Sequence, residues 1–224
     1  MLLAIDSATC MLSLALHDGQ RIRAEFSWET ANRHTVELTP AIGELCQRAG
    51  ITVQTLTQIA VAQGPGSFSG LRIGIGVAKG LAMALAIPLI AVPTLDIVAA
   101  AQPAFKGTLI AVAQVGRGRV CAERFSWHKT SWIAANDVEI LTWEALIAAI
   151  DNKTSGEVII AGEIDTDARA LIAASDKAIH LSAPALNLRR ASVLADLALT
   201  HTDAPNDPAA VVPLYVNQPG LPHP

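Results

Sequence analysis

Aromatic rings are scarce in this chain: four Trp, four Phe and one Tyr among 224 residues. Its core must therefore be built from the Ala, Ile, Leu and Val that make up most of a 51% hydrophobic composition. Cysteine is scarce too, with Cys10, Cys46 and Cys121 far apart and no C-x-x-C. That excludes zinc ribbons and thioredoxin-like chemistry, and an odd, scattered set implies reduced, partly buried thiols. Positive charge is not in excess: 16 Lys and Arg stand against 20 Asp and Glu, a net charge of −4. An autonomous nucleic-acid binder would show a basic stripe. The only basic clusters, Arg117/Arg119/Arg124 and Arg189-Arg190, read as solvated faces. Asp6 breaks the first apolar run before a signal peptide can form, and no basic segment precedes it. The apolar, uncharged run Gly80–Leu95 is shorter than a membrane span and carries Pro88 and Pro93. The expectation is a soluble, cytoplasmic chain without a membrane partner.

Familiar catalytic spacings are missing as well. No G-x4-G-K-[ST] occurs, and after Gly74-Ile75-Gly76 the third Rossmann position is Lys79. In Gly66-Ser67-Phe68-Ser69-Gly70 the serines hold the second and fourth places, whereas a hydrolase elbow needs the third. No H-E-x-x-H exists, and none of the six histidines pairs at i,i+4, so no helix face offers a two-His metal site. A metallopeptidase reading thus lacks its ligands.

What is there is an ordered alternation of elements. Leu2–Asp6, Met11–Leu16 and Arg21–Trp28 read as strands, the last two joined by a turn at His17–Gln20. A helix over 35–49 follows, with Leu38, Ile42, Leu45, Cys46 and Ala49 at helical spacing, Pro40 inside it and Gly50 ending it. Then come a strand at Ile59–Ala62, a glycine turn, a helix over 71–86, a strand at Pro88–Val92 and a short helix capped by Thr94. Gln102–Gly107 reads as a boundary, after which the strand-hairpin pattern restarts: Leu109–Val112 echoes Leu2–Ile5, and Arg119–Trp127 is its hairpin partner. Thr142 and Asp165 are expected helix caps, Gly156–Ile164 and Ala178–Leu181 hold strands, Leu188–His201 is a helix, and Tyr215 anchors an extended Pro-rich tail from Asp203. The fold class is α/β, mixed sheets with helices on their faces, in two lobes, 1–103 and 104–224, with the tail packing back on the first.

The most informative stretch is Gln63–Gly80, QGPGSFSGLRIGIGVAKG. A strand, the turn Gly64-Pro65-Gly66-Ser67-Phe68-Ser69-Gly70 and a helix together suit a backbone cradle for an anion. They equally suit a close helix approach, either as tight core packing against the chain's own sheet or as a bundle with a partner chain, because Gly70, Gly74 and Ala78 are spaced by four, and so are Gly76, Gly80 and Ala84. Interior glycine costs a helix roughly 1 kcal/mol relative to Ala, so these residues ask for a compensating contact. Arg72 and Lys79 share this helix, as ion-pairing groups at the rim of an interface or as solvated ones. In the first hairpin, Asp6-Ser7-Ala8-Thr9 offers a carboxylate and hydroxyls of the kind that hold a phosphate and Mg²⁺, while the matching second-lobe place reads Ala113-Gln114-Val115.

GPGSFSGLRIG followed by Lys-Gly-Leu-Ala closely resembles the hallmark of the TsaB (YeaZ) family. Ala4-Ile5-Asp6-Ser7, Arg33-His34 and Pro213-Leu214-Tyr215-Val216 extend the resemblance over nearly the whole chain. The resemblance implies an actin-like, sugar-kinase-like fold of two ribonuclease-H-type lobes. It implies a non-catalytic scaffold in making N6-threonylcarbamoyladenosine (t6A) at position 37 of tRNA. Such a subunit pairs through its first two helices with a catalytic D subunit, is joined by an ATPase E subunit and forms a homodimer when alone. Carried over, the interface residues are His34, Leu38, Ile42, Leu45, Leu71, Arg72, Gly74, Ile75, Ala78, Lys79 and Ala82, and a charge at Gly74 or Ala78 should abolish pairing while sparing the fold. Asp6, Ser7 and Thr9 become a vestigial phosphate site, with no cofactor and no metal. The relative's H-x-x-x-H ligands fall at Thr94 and Val98, which cannot bind metal. Contact with tRNA is expected to be indirect, with Arg117, Arg119, Arg124, Arg189 and Arg190 as candidates. One departure stands out: the family's second-lobe D-A-R-x-G-E-V-Y is replaced by Gln114-Val115-Gly116-Arg117-Gly118-Arg119-Val120-Cys121. The alternative function is a small actin-like ATPase or kinase using Asp6 and the Gly64–Gly70 loop.

Overall fold

A computed structural model of the chain describes residues 1–31, 33–116, 118–150, 156–200 and 207–216. In chain order it runs β1 (Leu2–Asp6), β2 (Met11–His17), β3 (Ile22–Glu29), α1 (His34–Arg48), β4 (Gln58–Gly64), α2 (Phe68–Leu85), β5 (Leu89–Pro93) and α3 (Thr94–Ala100). It continues with β6 (Gly107–Gln114), β7 (Arg119–His128), β8 (Ser131–Ala134), β9 (Glu139–Thr142), α4 (Trp143–Ala148), β10 (Glu157–Gly162), α5 (Thr166–Ala174), β11 (Ile179–Leu181), α6 (Pro184–Asn187) and α7 (Ala191–Thr200). Two compact units result: Met1–Ile97 with Arg189–Leu214, and Val98–Leu188 with Tyr215 and Val216. This division differs from a boundary at 103/104 in giving α7 to the first unit.

The first unit is a five-stranded sheet in the order β3-β2-β1-β4-β5. Its β3-β2-β1 half is antiparallel and its β1-β4-β5 half parallel. Strand alternation sorts the side chains by size. Leu3, Ile5, Leu14, Leu16, Ile59 and Val61 face Leu38, Ile42, Leu45 of α1 and Ile75, Ala78, Ala82 of α2. The opposite face offers Ala4, Ala15, Ala60 and Ala62 to Ala191, Leu194, Ala195 and Ala198 of α7. Small residues on both sides let α7 lie close to the sheet. Its first N–H groups are satisfied by distant partners: Ala191 N donates to Ser13 Oγ at 2.8 Å and Ser192 N to Glu25 Oε1 at 2.9 Å.

α2 begins at Phe68, three residues before the expected Leu71, because Ser67 caps it by accepting from Gly70 N at 3.3 Å. Thr94 is the first residue of α3 rather than its cap; its hydroxyl instead accepts from Gly64 N at 3.1 Å. By length and composition α2 is apolar enough to cross a membrane, with a mean hydropathy of 1.3, and a third of it is buried in the chain. α1 continues through Pro40, whose side chain is exposed.

The second unit is a sheet in the order β11-β10-β6-β7-β8, with β9 also on β7. β8 and β9 escape a reading by periodicity because each is four residues long; both pair with successive halves of the ten-residue β7. Thr142 and Asp165 cap α4 and α5 as expected, accepting from Ala145 N and Ala168 N. Tyr215 is 40% exposed; ahead of it the tail is anchored by Val211, at 5%, and by Leu214 N donating to Gln63 O at 2.8 Å.

Candidate functional site

The first hairpin turn, the glycine turn and Arg189 converge in the first unit. Asp6 ends β1 fully buried. The Arg189 guanidinium holds it with two hydrogen bonds, Nε to Oδ2 at 2.9 Å and Nη2 to Oδ1 at 3.3 Å, and Nη2 also donates to Thr9 Oγ1 at 2.7 Å. Arg189 is 4% exposed, so this is a buried, forked ion pair rather than a surface one. Ala8 N donates to Asp6 Oδ1 at 3.0 Å, and His34 Nε2 lies 2.9 Å from Thr9 O. Ser7 Oγ donates to Gly70 O at 2.9 Å.

The glycine turn is spent on the same hairpin. Ser67 N donates to Ala8 O at 2.6 Å, and Leu71 N to Ser67 O at 2.9 Å. A Cβ at Gly66 would collide with Ala8 O, at Gly70 with Ser7 O and at Gly74 with Ser7 Oγ. The small residues therefore let the start of α2 press onto the Asp6–Thr9 backbone. The close approach that the motif permits is made to the chain's own hairpin. The second row is different: a Cβ at Gly76 or Gly80 would meet nothing within 4 Å.

The structure places most of the expected interface residues inside the first unit. His34, Leu38, Ile42, Leu45, Leu71, Gly74, Ile75, Ala78 and Ala82 are buried in their own unit. Helical periodicity marks the apolar face of a helix, and the sheet claims that face first. Arg72 lies over the Phe68 ring, 3.7 Å from its centroid. Lys79 donates to Ala209 O at 3.1 Å and Val211 O at 2.9 Å, pinning the tail rather than rimming an interface. The outward residues of the same helices include Val36 at 59% and Met83 at 65% exposure, with Pro40, Gly43, Gly76, Gly80 and Ala84 also exposed. A charge at Gly74 or Ala78 would strike the core, not a partner.

The remaining candidates are tied down. Thr94 is buried on Gly64 N, and Val98 is 3% exposed. Arg124 donates to Ala149 O at 3.0 Å, and Arg190 lies 3.7 Å from Glu25. Arg117 lies outside the described residues. Where the family carries an acid, Gln114 uses two acids of its own unit: its N donates to Glu163 Oε2 at 3.0 Å and its Nε2 to Asp165 Oδ2 at 2.8 Å. Burial pushes the Cys121 thiol up to about 12, so it is no nucleophile at neutral pH. Among the described residues no group of three His, Cys, Asp or Glu side chains could hold a metal ion. Sequence reasoning missed the role of Arg189 because its partner is 183 residues away and nothing local signals the pairing.

The sequence model of the TsaD family, tRNA N6-adenosine threonylcarbamoyltransferase, matches residues 28–147. The TsaB protein of Bacillus subtilis, named for tRNA threonylcarbamoyladenosine biosynthesis, is 37% identical over 119 residues, 53% of this chain and 52% of that protein. A tRNA N6-adenosine threonylcarbamoyltransferase of Shouchella clausii is 45% identical over 65 residues, 29% of this chain and 19% of that protein. The chain thus spans about half the length of the TsaB relative it matches. The YeaZ structure from Pseudomonas aeruginosa superposes with a TM-score of 0.77 at 26% identity, covering 96% of this chain and 99% of that one. The α/β fold is therefore the actin-like one. With its sequence model covering more than half of these residues, the chain belongs to the threonylcarbamoyltransferase family, on its TsaB (YeaZ) side.

Proposed function

We propose that the chain is a non-catalytic partner subunit in the biosynthesis of threonylcarbamoyladenosine in tRNA. It pairs with a catalytic D subunit, an ATPase E subunit joins them, and it forms a homodimer when alone. One observation carries this reading: the turn that a nucleotide would need is filled by the chain's own Arg189, while the apolar outer face of α1 and α2 is uncovered. An ATPase or kinase would need Asp6 free to hold a cation and the turn amides free for phosphate; Asp6 is held by Arg189, and the Ser67, Gly70 and Leu71 amides are engaged internally. The name of the Bacillus relative supports the pathway. The pairing surface is the outward strip of Val36, Pro40, Gly43, Gly76, Gly80 and Met83, not the buried residues of the same helices. Exposed apolar strips of this kind mark protein interfaces.

Size-exclusion chromatography with light scattering tests it. The chain alone should run as a homodimer and convert to a one-to-one heterodimer with the cognate D subunit. Met83→Glu should remove both species and leave a folded monomer. Unchanged pairing by that variant would overturn the surface; no association with a folded D subunit would overturn the function.

A further inference from the structure

In a chain so poor in aromatics, three rings gather at one edge of the second unit. Trp127 and Trp132 face each other across β7 and β8. Their rings meet edge to face, with centroids 5.3 Å apart, and Phe105 packs on Trp132 at 4.8 Å. Trp132 is held, 9% exposed, with its indole N–H donating to Gln102 O at 3.2 Å. Trp127 is not held in that way: it is 36% exposed. The anchored pair thus presents Trp127 as a rigid aromatic wall. That wall borders an open surface pocket of about 340 Å³ lined by Ala104, Phe105, Lys106, Gly107, Ser126 and Trp127. This is at the small end of the roughly 300–1,000 Å³ typical of ligand sites. Its lining carries one charge, the Lys106 ammonium, and no carboxylate, although the chain as a whole is acidic.

We infer that this pocket binds a planar aromatic group bearing a negative charge, a nucleobase with its phosphate. The base stacks on Trp127 beside Phe105 and the phosphate meets Lys106. Stacking on an exposed Trp is tolerant of base identity, and the single cation sets the preference for an anion. A free nucleotide and an unpaired RNA base share this chemistry. The site lies wholly in the second unit and does not depend on the pairing surface, so either reading can fail alone.

The test follows the indole N–H signals of the four Trp residues by nitrogen-15 NMR on the full chain, with Trp127→Leu identifying its own signal by loss. Adenosine monophosphate, adenosine and a five-nucleotide single-stranded RNA are titrated in turn. The Trp127 signal should shift saturably with the monophosphate or the RNA, and more weakly with adenosine. In Trp127→Leu the adjoining Trp132 signal reports binding, which should weaken by about tenfold or more with the other three indole signals in place, and Lys106→Ala should weaken the monophosphate but not adenosine. A shift with the monophosphate identifies a free nucleotide as sufficient; a shift with RNA alone identifies an unpaired strand. If neither moves the Trp127 signal, or if Trp127→Leu binds as well as the parent, the proposal is wrong.

Discussion

Single atoms decide what the glycines of α2 are for. Gly70 faces a backbone oxygen that cannot move aside, so Gly70→Ala should destabilise the fold by about 1–3 kcal/mol, as overpacking does. Gly76 and Gly80 look into open space, and Gly80→Ala should stabilise it by roughly 0.5–1 kcal/mol through helix propensity. Urea melts of the two variants check the contrast, and equal shifts of the same sign would contradict it. The buried pair offers a second test at this scale. Arg189→Met leaves the Asp6 carboxylate buried without its cation and should cost about 3–5 kcal/mol. Adding Asp6→Asn should return part of that loss, because the uncompensated charge goes with it. A double variant as unstable as the sum of the singles would count against the ion pair.

Between elements, β3 and α1 are joined by one polar staple. The Trp28 indole N–H donates to Glu37 Oε2 at 2.9 Å. That bond chiefly, with one from Thr30 and the nearby Arg33 charge, holds the Glu37 carboxyl below the usual carboxylate range. A carboxyl depressed in the folded state adds stability above its unfolded value and loses it as pH falls through the folded one. Acidification through and below the ordinary Glu range should therefore loosen the α1 start and shift Trp28 fluorescence, and Glu37→Gln should flatten that limb of the curve. An unchanged acid limb in the variant would remove the staple from the account. The same element-level logic explains α7: its N-terminal amides are capped by Ser13 and Glu25 of the sheet rather than by a local Ser or Asp.

At the scale of the molecule, the first unit is closed by distant segments of chain. Arg189 and α7 return to β1 and β2, and the tail is held by Lys79 and by Gln63, whose Nε2 donates to Val212 O at 2.9 Å. The outer face of α1 and α2 receives none of this cover. If the homodimer buries it, thermal stability should rise with protein concentration, because association shifts unfolding by mass action. Met83→Glu should abolish that dependence along with the dimer.

The order of elements, the apolar faces of α1 and α2 and the caps of α4 and α5 were determined by sequence, because helical and strand periods, Thr142, Asp165 and Gly50 act within a few residues. The family was carried by GPGSFSGLRIG for the same reason: its glycines and Ser67 do their work in one turn. The short strands β8 and β9 lacked enough residues to show a period. Only the tertiary structure decided which party the glycine row meets, that Arg189 neutralises Asp6, and that Lys79 holds the tail. Each depends on residues many positions apart whose contact arises from sheet pairing. A helical period reveals that a face is apolar, but not whether a sheet or a partner covers it, and here the chain's own sheet covers it first.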